Sequence, residues 1–226
     1  AGLNRTTSLP DQPVPAKRPP ARRPPSAHPD HEPWRGASAC QFICAYSSWA
    51  VRMRGTPVSA ADHVRGGAEG KVVLVEYGDY ECPYCRLAHV QVMQLGRHFG
   101  DELTYVFRNF PLTEIHPLAE PAAEAAEFAG AQGQFWAMHD AIYAHQEQLS
   151  LPFLLSAARA LGLSESSLAA ALEAGTYAPK VKQDFLGGVR SGVNGTPTFF
   201  INGHRYEGPF DYQHMAAAIQ PLRSRP

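Results

Sequence analysis

The chain has no uninterrupted apolar run long enough to cross a bilayer as a helix, so no transmembrane helix is expected. It has no excess charge of one sign. Twenty basic residues stand against 21 acidic ones, which gives no overall pull toward nucleic acid and no acidic solvating tail. Cysteine is scarce. Four in 226 residues cannot staple a disulfide-dependent mini-domain, so a hydrophobic core must supply stability and the cysteines are available for chemistry. A convincing export signal is also missing. The basic tract "PAKRPPARRPP" followed by "GASACQFICAYSSWAV" loosely mimics one, but the leading part is too long and Gln41, Ser47 and Ser48 weaken the apolar part.

Proline and arginine, by contrast, are crowded into the first 57 residues. Such a segment has too little apolar surface to offset the entropy of ordering, and residues 1–57 read as a largely disordered leader or linker. Its basic prolines could dock an aromatic groove, although a solvated linker is the simpler reading. Met53 opens a stretch that leads directly into the patterned region, so the functional domain is expected to start near it. Cys40 and Cys44, spaced C-x-x-x-C within the leader, read as incidental.

The remainder, 58–226, reads as one α/β domain. "KVVLVEY", 71–77, has five apolar or aromatic residues in seven and fits a buried strand. A helix is expected over 83–98 and a second strand over 103–111. From 117 to about 191 the pattern is helical, with breaks at Gly130 and Gly133, at the glycines that end "LPFLLSAARALG" and "SESSLAAALEAG", and a loosening at Gly187–Gly188. "TPTFFINGHRYEG" then alternates around Asn202–Gly203, a type I′ hairpin signal, and a helix over 211–222 closes the chain.

Between the first strand and helix stands "ECPYC". Cys82 falls at the start of the helix, where unpaired backbone N–H groups and the helix dipole favour a thiolate. Pro83 suits the first helical position, which needs no donor. Cys85 lies one turn along, within disulfide reach but deeper and less acidic, which makes an attacking and a resolving thiol. Zinc would need further ligands that the scattered histidines do not supply beside Cys82. Glu76, six residues before Cys82 in an apolar strand, could accept the proton that Cys85 loses; an ordinary strand-end acid is the alternative. Asp79 and Glu81 oppose a thiolate by charge, muted by solvation. Thr196–Pro197 precedes the hairpin strand, where proline is awkward unless it turns the chain or is cis. Phe128, Phe135, Trp136, Met138, Ile142 and Tyr143 sit at helical spacing and read as core. His116 could line the rim of the site; a structural role is the plainer reading. His139 and His145 carry no functional expectation.

Together "EYGDYECPYC" and "GVNGTPTFFING" resemble the DsbA-like thioredoxin-fold proteins, over about residues 58–220, and "RNFPLTEIHPLAEPAAEAAEFAGAQGQFWAMHD" resembles the start of that family's helical insertion. The resemblance implies a thioredoxin-like α/β fold with a multi-helix insertion, about 115–191, between the halves of the core. It implies Cys82 as nucleophile, Cys85 as resolving thiol, Glu76 as the buried acid, and cis Thr196–Pro197 facing the disulfide, with Pro83 and Tyr84 beside the substrate. The implied activity is thiol–disulfide exchange with protein thiols or glutathione-type small thiols, through a mixed disulfide at Cys82, without metal or organic cofactor and without nucleic acid. Other readings stay open: a chaperone or regulatory domain appended to a membrane transporter, or a glutathione-linked isomerase. Tyr84 stands where the strong oxidants carry histidine, which lowers the expected oxidising power. Pro121 interrupts the alanine-rich helix, where a kink or late start is expected. The missing signal favours the cytoplasm; the family's exported members favour a periplasmic or extracytoplasmic site.

Composition also yields a test. Deleting residues 1–52 is expected to leave the melting temperature and disulfide reductase activity nearly unchanged, because the segment has little apolar area to bury. A fall of several degrees would show that it packs on the domain.

Overall fold

The computed structural model describes residues 57–67 and 70–224. The expectations for the leader, for Cys40 and Cys44, and for Met53 fall outside the described residues. At the edge of that region, Arg108 holds Asp62 in a buried ion pair at 2.7 Å and donates to the Pro57 carbonyl at 2.8 Å, which ties the domain's first described residues to the sheet.

Five strands form one mixed sheet: β1 (His63–Gly66), β2 (Val72–Gly78), β3 (Leu103–Asn109), β4 (Thr198–Ile201) and β5 (His204–Tyr206), in the order β1-β3-β2-β4-β5. β2 and β3 run parallel, and the other pairs are antiparallel. A parallel pair needs a crossover, which is α1 (Pro83–Phe99). β2 is central and buried along its whole length. Its alternate residues feed two cores: Val72 and Leu74 join the larger one, Val73, Val75 and Tyr77 the smaller. Glu76 shares the face of Val72 and Leu74 by the same period of two.

The larger core takes α1 through Cys85, Ala88, Val92, Leu95 and Phe99, which recur at three- and four-residue spacing. The closing helix α7 (Tyr212–Ile219) adds Met215 and Ile219. Between β3 and β4 run α2 (Ala119–Gly130), α3 (Phe135–Ala144), α4 (Leu151–Ala160), α5 (Glu165–Glu173) and α6 (Ala178–Arg190). This is a thioredoxin-like fold with a helical insertion. Ala122, Ala123, Ala125, Ala126 and Ala129 are buried on α2, and their small side chains let neighbouring helices approach closely. Phe128, Phe135, Met138, Ile142 and Tyr143 are core residues, with Trp136 packed against them.

Several boundaries differ from the pattern-based reading. β1 was not expected: four residues, half of them His and Arg, leave no alternation to read, and the strand exists because it pairs with β3. Of the kink or late start expected at Pro121, the structure shows the late start: the helix begins at Ala119. Pro121 lies in the first turn of α2, where a missing N–H costs nothing. The final helix is shorter than 211–222, ending at Ile219 before a tight turn at Gln220–Leu222. Gly187 and Gly188 do not loosen α6, which continues to Arg190. A Cβ at Gly188 would lie 2.6 Å from Phe110 Cδ2 and 3.0 Å from Tyr77 Cδ1, so glycine serves close approach of helix to sheet. The Asn202–Gly203 turn has positive φ at both residues, 46° and 81°, as a two-residue type I′ turn requires.

Phe110 is itself stacked on Phe185 with ring centroids 4.4 Å apart and cannot easily yield. Gly188→Ala is therefore expected to destabilise the domain by about 1–3 kcal/mol, the usual cost of overpacking. Denaturant unfolding checks this; an unchanged midpoint would show that the helix can shift outward without loss.

Candidate functional site

The site is built where the central strand ends and the crossover helix begins. Cys82 takes an extended conformation as the residue that caps α1, with Pro83 as its first helical residue. Cys85 follows one turn later and is fully buried; Cys82 is 4% exposed, and both are thiols. From the other half of the sheet, the Thr196 carbonyl lies 3.4 Å from Cys82 Sγ, which donates to it. The Thr196–Pro197 peptide bond is cis. Pro83 and Tyr84 are exposed beside this contact, Tyr84 at 61%. The structure thus gathers Cys82, Cys85, Pro83, Tyr84, Thr196 and Pro197 into one place from segments more than a hundred residues apart in sequence.

The two sulfurs ionise very differently. The Cys85 thiol, donating to the Cys82 sulfur, is the largest influence that brings Cys82 down to about 5. Burial opposes this; the backbone N–H groups of Cys85 and Tyr84 and the Thr196 hydroxyl assist. Thr196 Oγ1 is buried without a partner while Cys82 is a thiol, which leaves its proton available to a thiolate. The amides of the helix terminus contribute, as its position in the sequence leads one to expect, but the neighbouring thiol contributes more. Cys85 is pushed well above the ordinary thiol range by burial, then by its bond to Cys82 and the charge of Glu76.

Glu76 is 1% exposed, not an ordinary strand-end acid. Burial raises it to about 8, against a hydrogen bond from Tyr105 Oη to Oε2 at 2.8 Å, with the Cys82 charge raising it further. Oε1 is buried and has no partner.

Asp79 is the clearest departure from expectation. It is not solvated: it is 1% exposed and its carboxylate is muted by hydrogen bonds instead. Glu81 accepts from the Leu118 N–H at 2.7 Å, at the start of α2. His116 is also at the site, with Nδ1 2.9 Å from Asp79 Oδ2. Gln146, which nothing in the sequence singled out, donates to the Tyr80 and Cys82 carbonyls at 2.8 and 2.9 Å. A glutamine just past the end of α3 has no local signature; only the fold brings it here.

Metal chemistry has one candidate cluster among the described residues, His89, His139 and Asp140, whose ligand atoms lie within 4.8 Å. Arg65 already supplies a cation to both Asp140 oxygens, at 3.0 and 2.6 Å, and a second positive charge there would meet the guanidinium. His139 is a buried core residue bonded through Nδ1 to Tyr80 Oη at 3.0 Å.

The family model described as Thioredoxin matches residues 59–221, and the chain belongs to that family. Its fold resembles BdbD from Bacillus subtilis (TM-score 0.70, 22% identity, covering 76% of this chain and 98% of that one). It also resembles a thioredoxin-like oxidoreductase from Silicibacter pomeroyi (TM-score 0.64, 28% identity, 74% of this chain and 95% of that one). The fold is shared as well by the protein named alpha-DsbA1 of Wolbachia pipientis (TM-score 0.65, 19% identity, 74% of this chain and 92% of that one). Among curated proteins, it is 46% identical over 158 residues to a Na(+)/H(+) antiporter NhaA 1 of Salinispora arenicola, covering 70% of this chain and 24% of that protein. It is 40% identical over 164 residues to an NhaA 1 of Mycobacterium sp. (strain KMS), 72% and 27%. The chain spans about a quarter of the length of these relatives.

Glu76 makes a pH prediction. Below about pH 4.5 folded and unfolded chains both hold its proton; from there to about pH 8 the unfolded chain releases it and the folded chain retains it. Its ionisation therefore costs stability as pH rises through that window, on the order of a few kcal/mol at its upper end. Glu76→Gln is expected to be more stable than wild type at pH 8 and close to it at pH 4. Melting curves at the two pH values check this; an equal difference at both would show that Glu76 is not held neutral.

Proposed function

We propose that this member of the thioredoxin family is a thiol–disulfide oxidoreductase that exchanges a Cys82–Cys85 disulfide with protein thiols or small glutathione-type thiols. The observation that carries this reading is geometric: two buried thiols one turn apart at the start of one helix, with Cys82 Sγ 3.4 Å from the carbonyl of Thr196 in the cis Thr196–Pro197 bond. Their surroundings push Cys82 down and Cys85 up, in keeping with it.

In the reducing direction the Cys82 thiolate attacks a substrate disulfide. The substrate S–S bond breaks, one substrate sulfur leaves with the electron pair and takes a proton, and a mixed disulfide forms at Cys82. Cys85 then gives up its proton and attacks Cys82 Sγ. The protein disulfide forms and the second substrate thiolate departs. Glu76 is the proton acceptor we assign, acting in its ionised form: the Cys82 charge that helps keep it protonated is gone once Cys82 is in the mixed disulfide, and its Oε1 is unpartnered. The oxidising direction runs these steps backward. Pro83, Tyr84, Thr196 and Pro197 form the edge against which a substrate peptide lies, and the Thr196 carbonyl, held near Cys82 at rest, accepts a backbone N–H from it. No step calls for a metal or organic cofactor.

A second reading concerns where the exchange is used. Relatives named as Na(+)/H(+) antiporters contain this domain as about a quarter of their length. The domain then serves as a redox module of a transporter, and its exchange partner is a cysteine of the transport protein or a thiol at its surface. Among the described residues no helix is long and apolar enough to cross a membrane.

The test is exchange itself. Cys82 is expected to alkylate first in the reduced protein, with a midpoint near pH 5. Cys82→Ser is expected to abolish exchange, and Cys85→Ser to accumulate a covalent adduct with a disulfide substrate. Thiol values of about 7 for thioredoxin and about 3.5 for the strong oxidant bracket Cys82. The couple is expected between about −270 and −120 mV in a glutathione titration. A Cys82→Ser protein that still exchanges would end this reading.

A further inference from the structure

Every polar atom of Asp79 is committed. Oδ1 accepts from the N–H groups of Glu81 at 2.7 Å and Cys82 at 3.2 Å. Oδ2 accepts from the Leu112 N–H at 2.8 Å and from His116 Nδ1 at 2.9 Å. Its own N–H donates to Cys85 Sγ at 3.4 Å, and its carbonyl accepts from Tyr143 Oη at 3.3 Å. The side chain is 0% exposed and that of His116 is 16% exposed. One buried carboxylate therefore joins the loop before the nucleophile to the segment after β3.

A short acid that accepts backbone N–H groups two and three residues on is an ordinary loop staple. This one differs in its place and its partner. It sets a negative charge three residues from a sulfur that must itself become negative, inside protein where charges are poorly screened. Its fourth donor is not a backbone amide but a histidine at the edge of solvent.

We propose that Asp79 and His116 are positioning residues for exchange at Cys82: the carboxylate fixes the Glu81–Cys82 backbone and places a negative charge beside the attacking sulfur, and His116 governs how much of that charge the sulfur feels. The proposal rests on the thiol–disulfide reading above. It assigns the two residues opposite effects. Loss of the His116 donor leaves the carboxylate less neutralised and makes Cys82 harder to ionise. Loss of the Asp79 charge makes Cys82 easier to ionise, although both losses loosen the loop. A purely structural staple has no such asymmetry, since loosening removes donors from the thiolate in either case.

The experiment measures the Cys82 ionisation midpoint from the pH dependence of alkylation in the reduced full chain, with melting temperatures alongside. His116→Leu is expected to raise the midpoint by about one unit, roughly a tenfold loss of thiolate at a fixed pH below it. His116→Asn, which keeps a donor near the Nδ1 position, is expected to recover part of this. Asp79→Asn is expected to lower the midpoint, and His116→Leu added to it to have no further effect, because the charge it controls is gone. A shift in the same direction for both single variants, or an undiminished His116 effect in the double variant, overturns the proposal. Should Asp79→Asn fail to fold, the His116 series decides alone: an unchanged midpoint in His116→Leu overturns it. Failure of wild-type Cys82 to exchange with glutathione disulfide would strike the function instead, since alkylation does not depend on exchange.

Discussion

The Cys85 thiol, as a donor to the Cys82 sulfur, is the largest influence on how Cys82 ionises. Cys85 can donate only while it keeps its proton, so it must be the weaker acid, and its burial in the first turn of α1 ensures that. Glu76, on the strand beneath, holds its proton to about pH 8 chiefly because it is buried, and a negative Cys82 adds to the cost of a second charge there. One charge is tolerated and two are deferred. Neighbouring groups whose environments push their pKa values apart divide into acid and base by that fact alone. In the proposed exchange that division makes Cys82 the attacking sulfur, Cys85 the resolving sulfur and Glu76 the proton acceptor.

Holding that arrangement requires a rigid loop between β2 and α1, and the insertion provides much of the rigidity. Gln146 follows α3 and bonds the Tyr80 and Cys82 carbonyls, and Tyr143 on α3 reaches the Asp79 carbonyl. Leu118, at the start of α2, donates to Glu81. The thioredoxin core supplies the sulfur and the Thr196 carbonyl. The added helices fix the backbone from the opposite side, so the buried alanines of α2 matter to the chemistry through the close packing they permit.

Much of this was legible before the structure. A proline between two cysteines at the start of a helix, an acid in an apolar strand and a Thr-Pro before a hairpin each carry a local physical meaning, and the fold was readable from their order. What escaped depends on contacts between distant segments. β1 is too short and polar to show a period, and only pairing with β3 makes it a strand. Gly187–Gly188 reads in the sequence as a loosening of the helix because the reason for Gly188, Phe110, lies 78 positions earlier. Asp79 looked solvated because the donors that satisfy it, Leu112 and His116, come from beyond β3. The leader and its two cysteines stand apart from this comparison, since they fall outside the described residues.

The dipeptide between the cysteines carries a different weight once the donors are known. From sequence, Tyr84 in place of histidine pointed to a weak oxidant, because a histidine's charge can hold a thiolate and a phenol cannot. In the structure Cys82 is brought to about 5 without a cation: its donors are the Cys85 thiol, two backbone amides and the Thr196 hydroxyl. Residue 84 contributes one of those amides, which any residue but proline supplies. Its side chain is 61% exposed, where water screens a charge severalfold more than the protein interior does. Removing a buried donor therefore disturbs Cys82 more than changing an exposed ring does. In the proposed exchange, the dipeptide adjusts a poise that the neutral donors establish, and the oxidising power of the couple follows from how many of them the sulfur keeps when it ionises.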